Sequence, residues 1–307
     1  MRKIALFASA FMMMAAAGAV KAQTISPSTE EDKYLIKAGD VTMTVNAGEG
    51  GKVISYKLGD NEMLSQLRMQ NQYGSTFWTA PQTEWNWPPV TEFDRAAYET
   101  NLEGNVLTLT SKQAKKLPFI IEKKFMPAKN GKLIRVEYTI KNMGEEARKV
   151  APWEISRVIS DETGLIFFDS PVEQIEAAQG ELIPFKGEAG ASWYNFEQTR
   201  ANRKINSDGK GWLGYAANGM LMIKKFADIT PADPAPGEAE IQVYVNAGKT
   251  YIELESQGAY KEVAAGSSLT WTVDWYLLPL DQAKAVPSKA LLKTAGKTIK
   301  ASKKAKF

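Results

Sequence analysis

Apolar and polar positions alternate with a period of two through much of this chain, the repeat expected of strands that bury one face. The clearest runs cover residues 41–46, 52–58, 106–111, 134–142, 240–246 and 268–278. In the last of these, Leu269, Trp271, Val273 and Trp275 fall on one face and Thr270, Thr272 and Asp274 on the other. Turn-forming clusters separate the runs: Gly48-Glu49-Gly50-Gly51, Gly59-Asp60-Asn61, Asn130-Gly131 and Asp208-Gly209. Helical periodicity is scarce. Only the tail from Asp281 has amphipathic spacing, and it predicts a short helix followed by a solvated, fraying end. Many strands joined by short turns predict an all-β sandwich or barrel. The proline-rich stretch 231–237 has the length of a surface loop, so the pattern predicts one β domain over residues 23–280 and a lysine-rich tail at 281–307.

The first 22 residues stand apart from this pattern. Arg2 and Lys3 precede an uncharged apolar run from Ile4 to Val20, and Ala22 offers a small residue for cleavage before Gln23. This predicts a secretory signal and a periplasmic or secreted mature chain. The run is short for crossing about 30 Å of hydrocarbon, and no later segment is as apolar, so no membrane span is expected.

Composition removes several chemistries. The chain has no cysteine, which excludes disulfides, thiol catalysis, thiolate metal sites and a lipid anchor on cysteine. It also has no histidine, which excludes the usual catalytic triads, imidazole acids and histidine metal sites. No phosphate loop, dinucleotide fingerprint or calcium loop is present, so neither a cofactor nor a metal is expected. Setting aside the first 22 residues, and the seven lysines of residues 288–307, leaves a body with 28 basic and 35 acidic residues. An acidic body argues against nucleic acid as partner.

Three segments carry candidate chemistry. Between Tyr73 and Trp87 fall Phe77, Trp78 and Trp85, followed by Pro88 and Pro89, and this reads as an ordered aromatic loop. Indole faces complement the C–H faces of sugars, and Arg68, Asn71 and Glu84 nearby offer groups for hydroxyls. The same indoles would equally serve to plug one end of a sandwich. In the second segment, extended backbone sends Ile252 and Leu254 to the core, and Tyr251, Glu253, Glu255 and Gln257 to the opposite face. That row is either a binding surface or a solvated strand face. The third segment, Ala151 to Arg157, holds Glu154 and Arg157 three residues apart, which a regular strand places on opposite faces.

These residues support a resemblance. Leu254-Glu255-Ser256-Gln257, followed by Ala265-Gly266 at the opening of the 268–278 strand, resembles the C-terminal signature of aldose 1-epimerases. Gly50-Gly51-Lys52-Val53-Ile54-Ser55 is similar to the opening of the same fold, and Pro152-Trp153-Glu154-Ile155-Ser156-Arg157 resembles a secreted bacterial branch of the galactose mutarotase-like superfamily. The resemblance implies a single-domain galactose mutarotase-like β-supersandwich. It implies Glu255 as the general base at a sugar's anomeric hydroxyl and Gln257 as a binding residue beside it. The family's general acid is a histidine, near the place held here by Trp153 and Glu154. Glu154 replaces it only if burial raises its pKa by about two units or more. The expectation is therefore an exported carbohydrate-binding protein taking a mono- or oligosaccharide. Its candidate catalytic residues are Glu255 and Glu154, and its candidate ligand-binding residues are Arg68, Asn71, Trp78, Glu84, Trp85, Trp87, Arg157, Glu253 and Gln257. An epimerase using Glu255, and a glycosidase or lyase on the same scaffold, are the alternatives.

Overall fold

The structure, a computed structural model, describes residues 23–69, 72–129, 131–160, 163–197, 201–248 and 251–307. Its strands form two antiparallel sheets. The first runs, in spatial order, Thr24–Pro27, Lys33–Ala38, Val41–Asn46, Lys52–Leu58, Ser75–Ala80, Arg148–Val158, Ile252–Gln257, Ile241–Val245, Arg203–Ser207 and Glu176–Gln179. Asn61–Glu62 and Lys261–Val263 pair onto Lys52–Leu58 and Arg148–Val158. The second sheet runs Lys186–Glu188, Ala191–Asn195, Leu165–Phe168, Trp212–Ala217, Met220–Lys225, Ser268–Pro279, Leu133–Asn142, Phe119–Pro127, Val106–Thr110 and Glu99–Glu103.

Alternation explains most of these strands. Ile134, Val136, Tyr138 and Ile140 are buried, while Arg135, Glu137, Thr139 and Lys141 are half-exposed. The inward rows of the two sheets meet in one core, where Phe77 of the first sheet stacks on Tyr138 of the second at 4.2 Å between ring centres. Arg148–Val158 departs from the pattern. Every residue from Val150 to Val158 is buried, because the core covers one face and a loop-walled groove the other.

The tail differs from its sequence expectation in its end, which is docked rather than solvated. After a turn at Gln282–Lys284, residues Lys289–Ser302 form an α-helix, with the Ser288 hydroxyl accepting from the Leu291 N–H as N-cap. Leu291 and Ala295, four apart, bury against Leu133, Leu165, Ile223 and Tyr276 on the outer face of the second sheet. The lysines point outward, and the chain end is held by a 2.7 Å bond from the Lys129 N–H to the Lys306 carbonyl. The apolar i, i+4 pair, hidden among seven lysines, converts an expected fray into a docked helix.

Candidate functional site

The site lies on the face of the first sheet turned away from the second. Cross-strand register sets Trp153 opposite Trp78 and Gln257, Ile155 opposite Glu255, and Arg157 opposite Glu253. It also sets Glu253 opposite Tyr244, and Tyr244 opposite Lys204. Opposed residues share a face, so these side chains gather on one surface. With Gln72, Gln82, Trp87, Gln179 and Tyr251, several of them line a groove of about 300 Å³. Two larger hollows, of about 510 and 690 Å³, border the 227–240 loop, whereas the groove is floored by the central strands.

Glu255 is the centre of the floor. Its carboxylate is 1% exposed. Oε2 accepts from the Trp153 indole N–H at 2.9 Å and from the Lys204 ammonium at 2.9 Å. Oε1, equally buried, has no hydrogen-bond partner among the described residues. An unsatisfied buried carboxylate oxygen costs free energy unless something fills it. Lys204 is itself held 4.9 Å from the centre of the Trp153 ring.

Glu253, two residues earlier on the same face, pairs with Arg157 at 2.8 Å. Burial pushes its carboxyl pKa up; Arg157 opposes this and the neighbouring Glu255 charge adds to it. Arg157 is buried beneath, between the rings of Trp78 and Tyr251, and donates to the Gln72 side-chain oxygen. The Gln72 amide nitrogen has no partner among the described residues. Burial and the Glu253 charge push the Tyr251 phenol up to about 12, and burial raises Tyr244 as well, so both hydroxyls stay protonated and able to donate.

The aromatic wall is built around Trp78, which meets Trp85, Trp87 and Trp153 edge-on at 5.6, 6.3 and 5.5 Å. Its indole N–H donates to Asp94 at 3.0 Å, and Asp94 accepts also from Thr76 at 3.0 Å. Gly50 makes this anchor possible. It sits at φ +66°, and a Cβ there would lie 2.3 Å from the Asp94 carbonyl oxygen.

Several expected site residues lie elsewhere. Glu154 faces the core between the sheets: it accepts from Tyr138 at 2.6 Å and Trp275 at 3.2 Å, and it is ion-paired with Lys224, all residues of the second sheet. The strand is regular here, so Glu154 points away from the groove that Arg157 underlies. Gln257 shares the groove face but is spent on the proline-rich loop, accepting from the Ala235 N–H at 2.8 Å and donating to Glu238. Trp85 is a plug: it is buried, with its N–H on the Thr79 carbonyl at 2.8 Å. Glu84 pairs with Arg148 at the surface at 3.0 Å, and Arg68 stacks over Tyr73 at 4.5 Å; neither lines the groove. Asn71 lies outside the described residues. The stretch read as an aromatic loop contains a strand, Ser75–Ala80, which carries Trp78 into the wall.

Trp78, Trp87, Glu253 and Glu255 do come together, and Lys204, Tyr244 and Gln179 join them without having been singled out. Tyr244 was within reach, since 240–246 and 251–257 are consecutive strands with a short link. Lys204 and Gln179 arrive through strand order, which alternation does not encode. Among the described residues, no three acidic side chains converge as a metal centre requires.

No protein-family model matches the chain, and no curated protein matches its sequence. Solved structures do match in shape. The Slr1438 protein of Synechocystis sp. PCC 6803 superposes with a TM-score of 0.60 at 13% identity, over 83% of this chain and 96% of that one. A galactose mutarotase-like protein from Lactobacillus casei gives 0.59 at 12%, over 80% of this chain and 100% of that one. This chain has the galactose mutarotase-like fold. A candidate aldose 1-epimerase from Klebsiella pneumoniae, at 0.57 and 10% identity, covers 91% of this chain and 89% of its own. At such identities the likeness concerns architecture alone. Within this galactose mutarotase-like frame, the groove's chemistry rests on the side chains described above.

Proposed function

We propose that the protein is an exported carbohydrate-binding protein whose ligand sits in the groove over Glu255. The observation that carries this reading is Glu255, which lines a groove walled by Trp78, Trp87 and Trp153 and whose buried Oε1 has no hydrogen-bond partner among the described residues. A sugar hydroxyl supplies the missing donor, while an indole covers the ring's C–H face. Gln72 Nε2 and the protonated Tyr244 and Tyr251 offer donors to neighbouring hydroxyl oxygens. Ordinary mutarotation requires a second positioned proton donor. The chain has no histidine, and Glu154 is turned into the core, so polarimetry on free glucose and galactose is expected to show slow interconversion or none.

Titration of a sugar panel followed by tryptophan fluorescence tests the binding reading, since three of the groove indoles should report occupancy. Absence of any sugar-dependent change, confirmed by calorimetry, removes it. Export is tested separately: the intact mass of the mature chain should begin at Gln23.

A further inference from the structure

The groove is wider than its deepest part. Its lining comes from six consecutive strands and the loop beside them: Trp78, Trp153, Glu255, Tyr244, Lys204 and Gln179 fall on successive strands. Six strands span roughly 24 Å across a sheet. The buried floor is one half of that row, Trp78, Trp153 and Glu255, while Tyr244 and Lys204 beyond it are half-buried. At the two ends stand exposed residues, Trp87 at one and Gln179 at the other.

Trp87 is the more informative. It is 57% exposed, the most exposed large apolar side chain among the described residues. A free indole on a surface is unfavourable, and this one is not on a slack loop. The Trp85 N–H and Asn86 N–H both bond back to the Gln82 carbonyl, at 3.2 and 2.8 Å, and Glu238 fixes the Gln82 N–H at 2.8 Å. The ring edge packs on Trp78, the hub of the wall. The contrast with Trp85 is direct. Two positions earlier, that indole is buried and its N–H is satisfied, so the fold needs Trp85 in a way it does not need Trp87.

We infer that Trp87 is a second sugar platform, and that the ligand is an oligosaccharide with one residue over Glu255 and the next stacked on Trp87. This rests on the groove being a sugar site. It goes beyond that reading by excluding a lone monosaccharide as the preferred ligand. A ring held edge-on to Trp78 on a hydrogen-bonded turn adds affinity at a smaller ordering cost than one on a slack loop.

The test is calorimetric titration of the mature protein with glucose, galactose, maltose, cellobiose, lactose and the corresponding trisaccharides. It is repeated on Trp87→Ala and Glu255→Gln, with melting temperature as a fold check. At least one disaccharide is expected to bind about ten-fold or more tightly than either of its component monosaccharides. Trp87→Ala should bring that ratio close to one, whereas Glu255→Gln should weaken mono- and disaccharide alike and leave the ratio standing. If monosaccharides bind through Glu255 with the affinity of their disaccharides, and Trp87→Ala leaves the ratio unchanged, the second platform is refuted and the sugar site survives. If no sugar binds the wild type, both are refuted together.

Discussion

At the scale of single residues, Glu255 and Trp85 make opposite predictions. Glu255→Gln keeps the shape and an acceptor for Trp153, but removes the charge that Lys204 and a bound hydroxyl share. Hydrogen bonds to charged groups are worth about 1.5–3 kcal/mol, so sugar affinity should fall roughly 10- to 100-fold with the melting temperature little changed. Calorimetry beside a thermal melt checks this; intact binding in Glu255→Gln would place the ligand elsewhere. Trp85→Ala removes a buried indole packed against Trp78 and Trp153, and should cost about 3–5 kcal/mol of stability. A denaturant titration with an unmoved midpoint would contradict the plug. The sequence Trp85-Asn86-Trp87 shows two indoles sharing strand parity, yet one is buried and one exposed. The reversal comes from the turn: Asn86 sits at φ +55°, a left-handed conformation that period-two reasoning cannot foresee.

Among elements, strand parity was the most legible feature. Alternation alone separated Glu253 and Glu255 from Ile252 and Leu254, and separated Glu154 from Arg157. It could not say which face of Arg148–Val158 met the other sheet, because both faces are buried and the strand reads as continuous apolar sequence with polar interruptions. Glu154 therefore read as a site residue although it belongs to the core network with Tyr138, Trp275 and Lys224. The strand beginning at Ile241 carries a pH prediction of its own. Just before it, Glu240 holds the Ile229 N–H at 3.1 Å and so pins the 229–240 loop. Burial pushes its carboxyl up to about 7, opposed by the Ile229 N–H and helped by the charges of Asp228 and Asp208. The folded value lies above the unfolded one, so the folded chain holds the extra proton between about pH 4.3 and 7. The associated stability is fully present below that window and is lost as pH rises through about 7. Its size is at most roughly 4 kcal/mol. Urea midpoints should fall between pH 5 and 7.5, and Glu240→Gln, which keeps an acceptor for Ile229, should fall less. Equal slopes in the two proteins would assign the pH dependence to other groups.

For the whole molecule, the two sheets divide labour: the outer face of the first opens into the groove, and part of the outer face of the second is covered by the C-terminal helix. Composition showed the asymmetry of charge between an acidic body and a lysine-rich end, but the lysines masked the apolar stripe beneath them. The cover is short, and its anchor is small. Leu291 and Ala295 are its buried contacts, assisted by partly buried Leu292 and Ile299. A buried leucine truncated to alanine costs about 2–5 kcal/mol, which in a protein of this size is a fall of several degrees in melting temperature. Leu291→Ala should therefore lower the melting temperature, and removal of residues 289–307 should lower it further and promote association, since it bares Leu133, Ile223 and Tyr276. Lysine-to-serine changes at Lys293 and Lys297, on the exposed side, should leave the melting temperature nearly unmoved. Because the groove belongs to the other sheet's outer face, sugar affinity in Leu291→Ala should match wild type below its melting temperature. A melt in which Leu291→Ala and the truncated chain both coincide with wild type would return the tail to a solvated end with no part in the fold.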